Sequence, residues 1–226
     1  MNTELILTID GPSGSGKGTV SRLVAQALGW ELLDSGALYR LVALAARQAG
    51  IGLEDAGRLA PLALDLDIRF GVAADGEEAI WLAGADVTRL IRTETAGNDA
   101  SQVAALGPVR AALLDRQRRF ATPRGLVADG RDMGTVVFPG AGAKIFLTAS
   151  AGERAARRHK QLKEKGVAAN LAALSLEIAE RDRRDMNRAI APLVPSPGAV
   201  TLDTTGMPVE AVVERVLHVA RERLKI

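Results

Sequence analysis

The sequence predicts an α/β fold: a parallel sheet with flanking helices, interrupted by a small antiparallel β insert. Short apolar runs alternate with helical patterns along most of the chain, as they do in βαβ units. Between about 51 and 98 the pattern changes, and at Leu66–Phe70 apolar and charged residues alternate, which is typical of antiparallel strands with one exposed face. At 226 residues the chain suits one such fold with an insertion.

Composition narrows the classes of function. With 29 basic and 27 acidic residues the net charge is only +2, which does not favour sequence-independent binding of nucleic acid. The absence of cysteine excludes disulfides and thiolate metal sites, and no apolar run approaches the roughly 18 residues of a membrane span. Residues 1–4 do not resemble a secretion signal. We therefore expect a cytoplasmic enzyme, monomeric by default, that works without nucleic acid or membrane.

The first predicted strand, Leu5–Ile9, leads into a glycine-rich turn and then into a helix from Thr19 to Leu28. A glycine, four residues and then Gly-Lys is the spacing of the P-loop, whose backbone N–H groups encircle a polyphosphate while its lysine reaches the terminal phosphates. Gly18 stands where Ser or Thr normally follows the lysine, so Thr19 is predicted to supply the hydroxyl near a metal ion. The alternative is a simple surface turn. The residues predicted to bind the polyphosphate are Gly11, Pro12, Ser13, Gly14, Ser15, Gly16, Lys17, Gly18 and Thr19.

A second strand, Trp30–Asp34, is predicted to lead into a helix from Ala37 to Ala49. Ser35 lies between the two, where it can cap the helix or present its hydroxyl to a ligand. Tyr39 and Arg40 lie in the first turn of this helix. These residues are therefore candidates for the ligand crevice.

The insert is predicted to be a small antiparallel meander. Leu66–Phe70 and Ala79–Leu82 have strand patterns, and Asp75-Gly76 supplies a turn between them. We expect Trp81 to be a packing anchor of this lobe rather than a residue that stacks on a ligand.

A further strand within Gly125–Gly134 delivers Asp129, Arg131 and Asp132 at its carboxyl end. Ligands of open α/β sheets bind outside the carboxyl ends of the strands. An acidic residue at that place is positioned to hold magnesium, directly or through water, and the adjacent arginine is positioned to grip a phosphate. An internal ion pair between Arg131 and either aspartate is the alternative.

Arginine is concentrated in three predicted helices. The first runs from Ser101 to Phe120 with a break at Gly107-Pro108, and the second from Ala151 to Gly166; a solvated face explains most of these charges. In the third, positions 181, 184, 185 and 188 follow i, i+3, i+4, i+7 spacing, which predicts three arginines and one aspartate on one face. So many like charges are costly without an anion among them, and a phosphoryl group in transfer is such an anion.

The remaining pattern completes the alternation of strands and helices. Buried strands are predicted at Lys144–Thr148 and Ala199–Asp203, and a closing amphipathic helix at Pro208–Leu224. His159 and His218 are isolated in the sequence, and we assign neither a catalytic role.

Five stretches of the chain together carry a resemblance to a known family: Asp10–Thr19, Leu33–Arg40, Ala100–Val103, Ala128–Val137 and Arg181–Asp185. They closely resemble the bacterial cytidylate kinases, nucleoside monophosphate kinases of the P-loop type, over essentially the whole chain. Gly18 matches the form that the loop takes in these kinases. The resemblance implies a P-loop core at about 1–34, 99–150 and 167–226, a monophosphate-binding lobe with the insert at about 35–98, and a short helical lid at about 151–166.

The resemblance also implies a reaction and roles for individual residues. ATP, with Mg²⁺, would donate its γ-phosphoryl group to CMP or dCMP, giving ADP and CDP or dCDP. The residues implied to bind CMP are Ser35, Ser101, Arg110 and Asp132 at the base, Arg40, Arg131 and Arg188 at the phosphate, Arg181 and Asp185 at the ribose, and Tyr39 beside them. Those implied to act in catalysis are Lys17, Arg131, Arg181 and Arg188, with Arg154 and Arg158 from the lid. Thr19 and Asp129 would hold magnesium, partly through water.

Two other classes of protein share some of these features. A P-loop GTPase would share the loop, but the Asn-Lys-x-Asp sequence that usually reads guanine is absent from the chain. A regulator that only binds nucleotide would not need an arginine cluster around a second anion site. A kinase of a different monophosphate remains the main alternative.

Overall fold

The computed structural model of the chain describes residues 5–73, 78–164, 166 and 168–226. The chain divides into two compact units, a first unit of residues 1–34 and 117–226 and a second unit of Ser35–Arg116. The strands in these residues are β1 (Ile6–Asp10), β2 (Glu31–Asp34), β3 (Ile68–Val72), β4 (Glu78–Leu82), β5 (Ala85–Asp86), β6 (Leu126–Gly130), β7 (Ala143–Thr148) and β8 (Val200–Asp203). The α-helices are α1 (Lys17–Leu28), α2 (Ser35–Gln48), α3 (Ala56–Asp65), α4 (Glu94–Val103), α5 (Gly107–Arg118), α6 (Ala151–Glu164), α7 (Leu171–Met186) and α8 (Val209–Leu224).

The first unit is built on a five-stranded sheet with the order β2-β6-β1-β7-β8. Every neighbouring pair in this sheet is parallel. All five residues of β1 and of β6 are buried, as expected for central strands that are covered on both faces. The predicted parallel α/β core is therefore confirmed.

Helices α1 and α8 pack against each other and against the sheet of the first unit. Aromatics make up only 3% of the chain, so the core between these helices and the sheet is filled by Leu, Ile, Val and Ala. The buried residues at this contact are Leu7, Ile9, Val20, Val24, Val127, Ile145, Leu147, Val212, Val216 and Ala220.

In the second unit α2 packs against α3 and α4, and a separate sheet has the order β3-β4-β5. Both strand pairs of that sheet are antiparallel, which confirms the predicted meander. Trp81 is half-buried, and the guanidinium carbon of Arg69 lies 3.9 Å from the centroid of its ring. The predicted turn at Asp75-Gly76 lies outside the described residues, as does Lys165 in the segment after α6.

Helix α4 begins at Glu94, seven residues before the predicted start at Ser101. Its beginning is fixed by Thr93, whose hydroxyl oxygen accepts a hydrogen bond from the Ala96 N–H at 3.2 Å. Glu94 adds an acidic residue to the first turn, which the helix dipole favours. The residues of α4 before Ser101 are mostly polar, so their helix is marked in the sequence by its cap rather than by an apolar stripe.

Three other boundaries differ from the sequence-based expectation. The break between α4 and α5 precedes Gly107-Pro108, so the proline lies in the first turn of α5, where its missing N–H has no partner to lose. Helix α3 was not predicted; Asp55 caps it by accepting from the Arg58 N–H at 3.0 Å. Helix α2 begins at Ser35 itself, so Ser35 is its first residue. No helix in the described part of the chain is long and apolar enough to cross a membrane.

The cap at Thr93 gives a test of the second unit. We expect Thr93→Ala to lower the free energy of unfolding by about 1 kcal/mol, because the Ala96 N–H loses its acceptor. Thr93→Ser, which keeps the hydroxyl, is the control and should stay within about 0.5 kcal/mol of the parent. Urea unfolding followed by circular dichroism measures both, and equal stability of the alanine variant and the parent would contradict the proposed cap.

Candidate active site

The predicted phosphate-binding loop connects β1 to α1 in the first unit. Gly14 and Gly16 have φ of 75° and 88°, in the left-handed region that favours glycine, and Gly16 is the residue before the first turn of α1. At Gly11 an added Cβ would lie 2.0 Å from the carbonyl oxygen of Leu147 on β7, so no side chain fits there. The loop therefore wraps the start of α1, where free N–H groups and the helix dipole would favour an anion.

Lys17 is a buried cation at the start of α1. Its Nζ donates to the Pro12 carbonyl oxygen at 2.9 Å, and only 8% of the residue is exposed. Burial, with the charge of Arg131 acting in the same direction, lowers the pKa of Lys17 to about 7, while Asp129 acts in the opposite direction. Phosphate oxygens beside Nζ favour the charged form, so the binding of a polyphosphate would raise this pKa.

Carboxylates of the first unit meet at the ends of neighbouring strands. The pairing aligns Asp10 with Gly130, and Asp34 with Asp129. Burial raises the pKa of Asp129 to about 7; Lys17 opposes this effect and Asp34 adds to it. Asp129 also lies over the first turn of α1, since a Cβ on Gly18 would be 3.4 Å from its Oδ2.

Asp10 is a buried residue that sequence reasoning quoted in a motif but did not place in the site. Its two carboxylate oxygens accept from the N–H groups of Met133 and Gly134, each at 2.8 Å. Burial raises its pKa to about 6, against the effect of these two hydrogen bonds. Asp10 thus joins the residue before the phosphate-binding loop to a π-helical turn, Met133–Val137, that follows Arg131 and the buried Asp132.

An arginine cluster in the first unit centres on Asp185; it contains Arg181 and Arg188 of the predicted face, and Arg131 from the end of β6. Arg131 Nε lies 2.9 Å from Asp185 Oδ2, and the carboxylate side chain is 4% exposed. Burial alone would raise the pKa of Asp185, but the charges of Arg131, Arg181 and Arg188 hold it below its ordinary value. Asp185 is therefore an anion shared by three arginines.

The expectation that one helix face carries the whole cluster is wrong for Arg188. Helix α7 ends at Met186, with Asn187 as the residue after its last turn. Arg188 instead folds back, and its Nε donates to the Asp185 carbonyl oxygen at 3.3 Å, which leaves the residue 8% exposed. A turn of the chain after α7, rather than continued helical spacing, brings Arg188 to the cluster around Asp185.

The lid candidates lie on α6, and they differ in their contacts. Arg154 is buried and pairs with Asp182 on α7, with Nη2 to Oδ2 at 2.6 Å. Arg158 is half-buried and donates from Nη1 to the Gln161 side chain at 3.2 Å. Arg157, which was treated only as part of a basic run, donates from Nη1 to the Ser15 carbonyl oxygen and to the Thr204 hydroxyl, at 3.3 and 3.0 Å.

In the second unit the predicted base-reading residues lie on packed helices. Ser35 and Tyr39 on α2 and Ser101 on α4 are buried. Arg110 on α5 is also buried; its Nη1 donates to the Ala104 carbonyl oxygen at 3.1 Å and its guanidinium carbon lies 5.6 Å from the Tyr39 ring centroid. Arg40 on α2 donates to the Ile91 carbonyl oxygen at 2.9 Å. Tyr39 and Arg110 are therefore brought together by the packing of this unit.

Metal ligands are few. Within residues 5–73, 78–164, 166 and 168–226, no group of three or more His, Asp or Glu side chains could by itself hold a metal ion. Magnesium does not require such a group, because it keeps several waters and binds one or two carboxylates together with substrate phosphates. Asp129, beside the first turn of α1, and the exposed Thr19 fit that requirement.

A parallel sheet whose first strand leads into this loop, with a buried lysine and an arginine cluster at the strand ends, defines a P-loop kinase of small phosphorylated acceptors. The model of the cytidylate kinase family matches residues 7–222. The chain belongs to the cytidylate kinase family, whose reaction is transfer of a phosphoryl group from ATP to CMP or dCMP. It is therefore an ATP-dependent kinase.

Individual relatives agree with this assignment. The chain is 54% identical over 219 residues to a cytidylate kinase of Colwellia psychrerythraea, with 97% of each chain covered. It is 58% identical over 219 residues to one of Stutzerimonas stutzeri, with 96% of each covered. Among solved structures, a gluconokinase from Sinorhizobium meliloti has a TM-score of 0.50 at 16% identity, covering 100% of this chain and 96% of the other. That likeness shows the fold alone.

The lowered pKa of Lys17 predicts a stability that depends on pH. The folded protein disfavours the charged lysine, so the penalty is fully present below the folded pKa of about 7 and is relieved as the pH rises towards 10.5, the ordinary value. We expect Lys17→Met to raise the free energy of unfolding of the ligand-free protein by about 1–2 kcal/mol at pH 6, with the gain shrinking towards pH 10. Loss of the bond to Pro12 offsets part of the gain.

Urea unfolding at pH 6, 8 and 10 measures this effect. Lys160→Met removes an exposed lysine of α6 and is the matched control, with little expected change at any of the three pH values. A lower stability of Lys17→Met at pH 6 than of the parent would show that the charged lysine is favourable in the ligand-free fold, contrary to the prediction.

Proposed function

We propose that this chain phosphorylates CMP and dCMP by in-line transfer of the γ-phosphoryl group of ATP, without a general base. The observation that carries the proposal is the electrostatic contact, inside the first unit, between Lys17 of the phosphate-binding loop and the cluster of Arg131, Arg181 and Asp185. Lys17 and the loop suit a polyphosphate donor, whereas Arg131, Arg181 and Asp185 suit an acceptor phosphate beside a ribose. Two anion-binding sets in electrostatic contact are what transfer requires and what mere binding of one nucleotide does not.

No general base is needed because the attacking oxygen belongs to the phosphate of CMP. That oxygen is already ionised at neutral pH, unlike the hydroxyl on which many other kinases act. Catalysis then consists of positioning the two phosphates, neutralising the charge on the moving group and excluding water. The raised pKa of Asp129 accordingly needs no role in proton transfer.

On the donor side, the N–H groups between Gly11 and Thr19 hold the phosphates of ATP, and Lys17 lies along the terminal ones. Its burial makes this charge effective, because a cation in a poorly hydrated site interacts more strongly with an anion. Lys17 therefore both binds the donor and stabilises the transferring group.

On the acceptor side, Arg131 and Arg188 hold the phosphate of CMP, and Arg181 and Asp185 contact the ribose hydroxyls. Arg131 is already oriented by its bond to Asp185, so little side-chain freedom is lost when the phosphate binds. Arg188 is anchored in the same way through the Asp185 carbonyl oxygen. Arg181 also contributes positive charge near the phosphate, as its effect on Asp185 indicates.

Recognition of cytosine is assigned to Ser35, Ser101, Arg110 and Asp132. Cytosine offers acceptors at N3 and O2 and a donor at N4, so arginine, hydroxyls and a carboxylate form a complementary set. All four side chains are buried, which raises the cost of leaving any of them unpaired by a wrong base. Arg40 is assigned to the acceptor phosphate, and Tyr39 supports the guanidinium of Arg110.

Magnesium is proposed as the cofactor, held by Asp129 and Thr19, in part through water. Held there, it would neutralise charge on the phosphates of ATP. Burial raises the pKa of Asp129, and a cation beside its carboxylate would lower that pKa again, so Asp129 is a suitable ligand for magnesium.

From α6 we assign Arg158 to the charge of the transferring phosphoryl group. It is half-buried, and its hydrogen bond to the neutral side chain of Gln161 is weaker than a charge-assisted bond to a phosphate. Arg154, the other lid candidate, uses its donor nitrogens on the loop and on Asp182, which makes it a poorer partner for the moving group.

The enzyme is proposed to act on these small molecules as a monomer in the cytoplasm, without nucleic acid or membrane. The near balance of 29 basic and 27 acidic residues supports the absence of a nucleic-acid partner.

The acceptor panel tests this function directly. ATP consumption coupled to product formation is measured with CMP, dCMP, UMP, AMP and GMP as acceptors, at equal concentration. We expect CMP and dCMP to be the fastest, because a purine cannot match the donor and acceptor pattern of the assigned residues. If AMP or GMP were the fastest acceptor, the four base-reading assignments would be wrong. A preference for UMP would keep a pyrimidine monophosphate as the acceptor but would contradict the assignment of Asp132 to the N4 amino group.

The lysine of the loop gives the second test. Lys17→Met should lower kcat at least about 100-fold, since it removes a charge that stabilises the transferring phosphate. Its folded state is verified by the unfolding experiment above, and Lys160→Met should keep parental kcat. Parental kcat in Lys17→Met would remove the loop from the catalytic assignment.

A further inference from the structure

We propose that Arg154 is a positioning residue: together with Asp182 it fixes the backbone of the phosphate-binding loop in the orientation that receives ATP. The inference rests on the proposed function, since the loop is taken as the ATP site. It concerns contacts within the first unit only, between the loop, α6 and α7. It also removes Arg154 from the residues that touch the moving phosphoryl group.

Each nitrogen of the Arg154 guanidinium points to a different partner. Nε donates to the Ala149 carbonyl oxygen at 3.0 Å, Nη1 donates to the Ser13 carbonyl oxygen at 2.9 Å, and Nη2 lies 2.6 Å from Asp182 Oδ2. The two charged side chains are 7% and 9% exposed. Because the guanidinium is planar, three partners in three directions fix both its position and its plane.

The bond to Ser13 acts on the N–H groups that bind phosphate. In a trans peptide the carbonyl and the following N–H point in opposite directions within one plane. Holding the Ser13 carbonyl outwards therefore turns the Gly14 N–H inwards. Arg157 holds the Ser15 carbonyl in the same way, which turns the Gly16 N–H inwards.

The loop rests directly on α6 at this point. A Cβ on Gly14 would lie 3.0 Å from Arg154 Cβ, and Gly14 has a φ of 75°. Thr204 lies on the other side of the loop. Its hydroxyl donates to the Ser15 carbonyl oxygen at 3.4 Å and accepts a hydrogen bond from Arg157 Nη1. The outer wall of the loop is thus held by side chains of α6 and of the segment after β8.

Arg154 is poorly suited to leave these partners for a phosphate. Moving it would strand the carboxylate of Asp182, which is buried and whose Oδ1 has no hydrogen-bond partner in the part of the chain that the structure describes. A buried charge that loses its only counter-ion is strongly destabilised. Arg158, one turn further along α6, donates to Gln161 of the same helix and not to the loop carbonyl that Arg154 holds.

The same pair ties ATP binding to the acceptor end of the site. Asp182 lies on α7 between Arg181 and Asp185, the residues assigned to the ribose of CMP. Through Asp182, a shift of α7 changes the position of Arg154, and through Arg154 the orientation of the loop. The structure therefore assigns to this ion pair a role in donor binding rather than in phosphoryl transfer.

The test compares Asp182→Asn and Arg154→Lys with a matched control, Glu180→Gln. Glu180 lies on the same helix and pairs with Arg183, but both side chains are exposed, so this change removes an ion pair without touching the loop. The measurements are KM for ATP, KM for CMP, kcat at saturating ATP, and the amide ¹⁵N resonances of Gly14 and Gly16 in the ligand-free protein. Thermal unfolding verifies that each variant is folded.

We expect Asp182→Asn and Arg154→Lys each to raise KM for ATP about tenfold, with kcat at saturating ATP changed less than about threefold. The double variant should be little worse than either single one, because both remove the same contact. Both should shift the Gly14 and Gly16 resonances without any ligand. Glu180→Gln should leave all of these quantities at parental values.

A different pattern would overturn the proposal. If Asp182→Asn had parental KM for ATP and parental glycine resonances while Arg154→Lys lost kcat at saturating ATP, Arg154 would contact the transferring phosphate instead. Should Arg154→Lys fail to fold, the resonances and KM of Asp182→Asn alone decide between these outcomes. If the parent protein did not phosphorylate CMP at all, the proposed function would fail, whereas the resonances would still show whether the pair orients the loop.

Discussion

The burial of one positive charge, that of Lys17, is the constraint on which the first unit depends. Its position follows from the loop, which places the first residue of α1 under the end of β1, away from water. Asp129 and Asp185 favour the charge, while burial, Arg131 and Arg181 oppose it, and the opposing effects prevail. Burial is the largest of these effects, so the lowered pKa of Lys17 reflects a poorly hydrated site, in which a bound anion would favour the charged lysine.

Helix α7 makes this concentration of arginines possible. Asp182 and Asp185 are three residues apart, and each binds an arginine from a different element, Arg154 on α6 and Arg131 after β6. Both carboxylates are buried, so each ion pair is poorly screened by solvent. The two pairs connect α6, which contacts the phosphate-binding loop through Arg154, with the end of β6. Charge neutralisation and mechanical connection are therefore properties of the same side chains.

The features that the sequence predicted well are those with a local cause. The loop is an example, because Gly14 and Gly16 are required by the left-handed φ of their own backbone. Helix α3 was missed because its pattern includes Pro61, which normally ends a helix, although here the cap at Asp55 and packing on α2 preserve it. Whether such a segment forms a helix depends on its packing against residues distant in the chain, and this packing cannot be read from a single sequence.

The site shows the same limit at the level of single residues. Helical spacing selected positions 181, 184, 185 and 188 as one face. The charges of Arg181 and Arg188 do act on Asp185, but Arg188 arrives through a chain turn after the helix has ended. Asp182 lay outside that face, since successive helical residues point about 100° apart, and so it attracted no assignment. That rotation is why it faces α6 and binds Arg154 while its neighbour Arg181 acts on Asp185. Adjacent charges in a sequence can thus serve different partners, and only the packing of α6 on α7 reveals which charge belongs to which site.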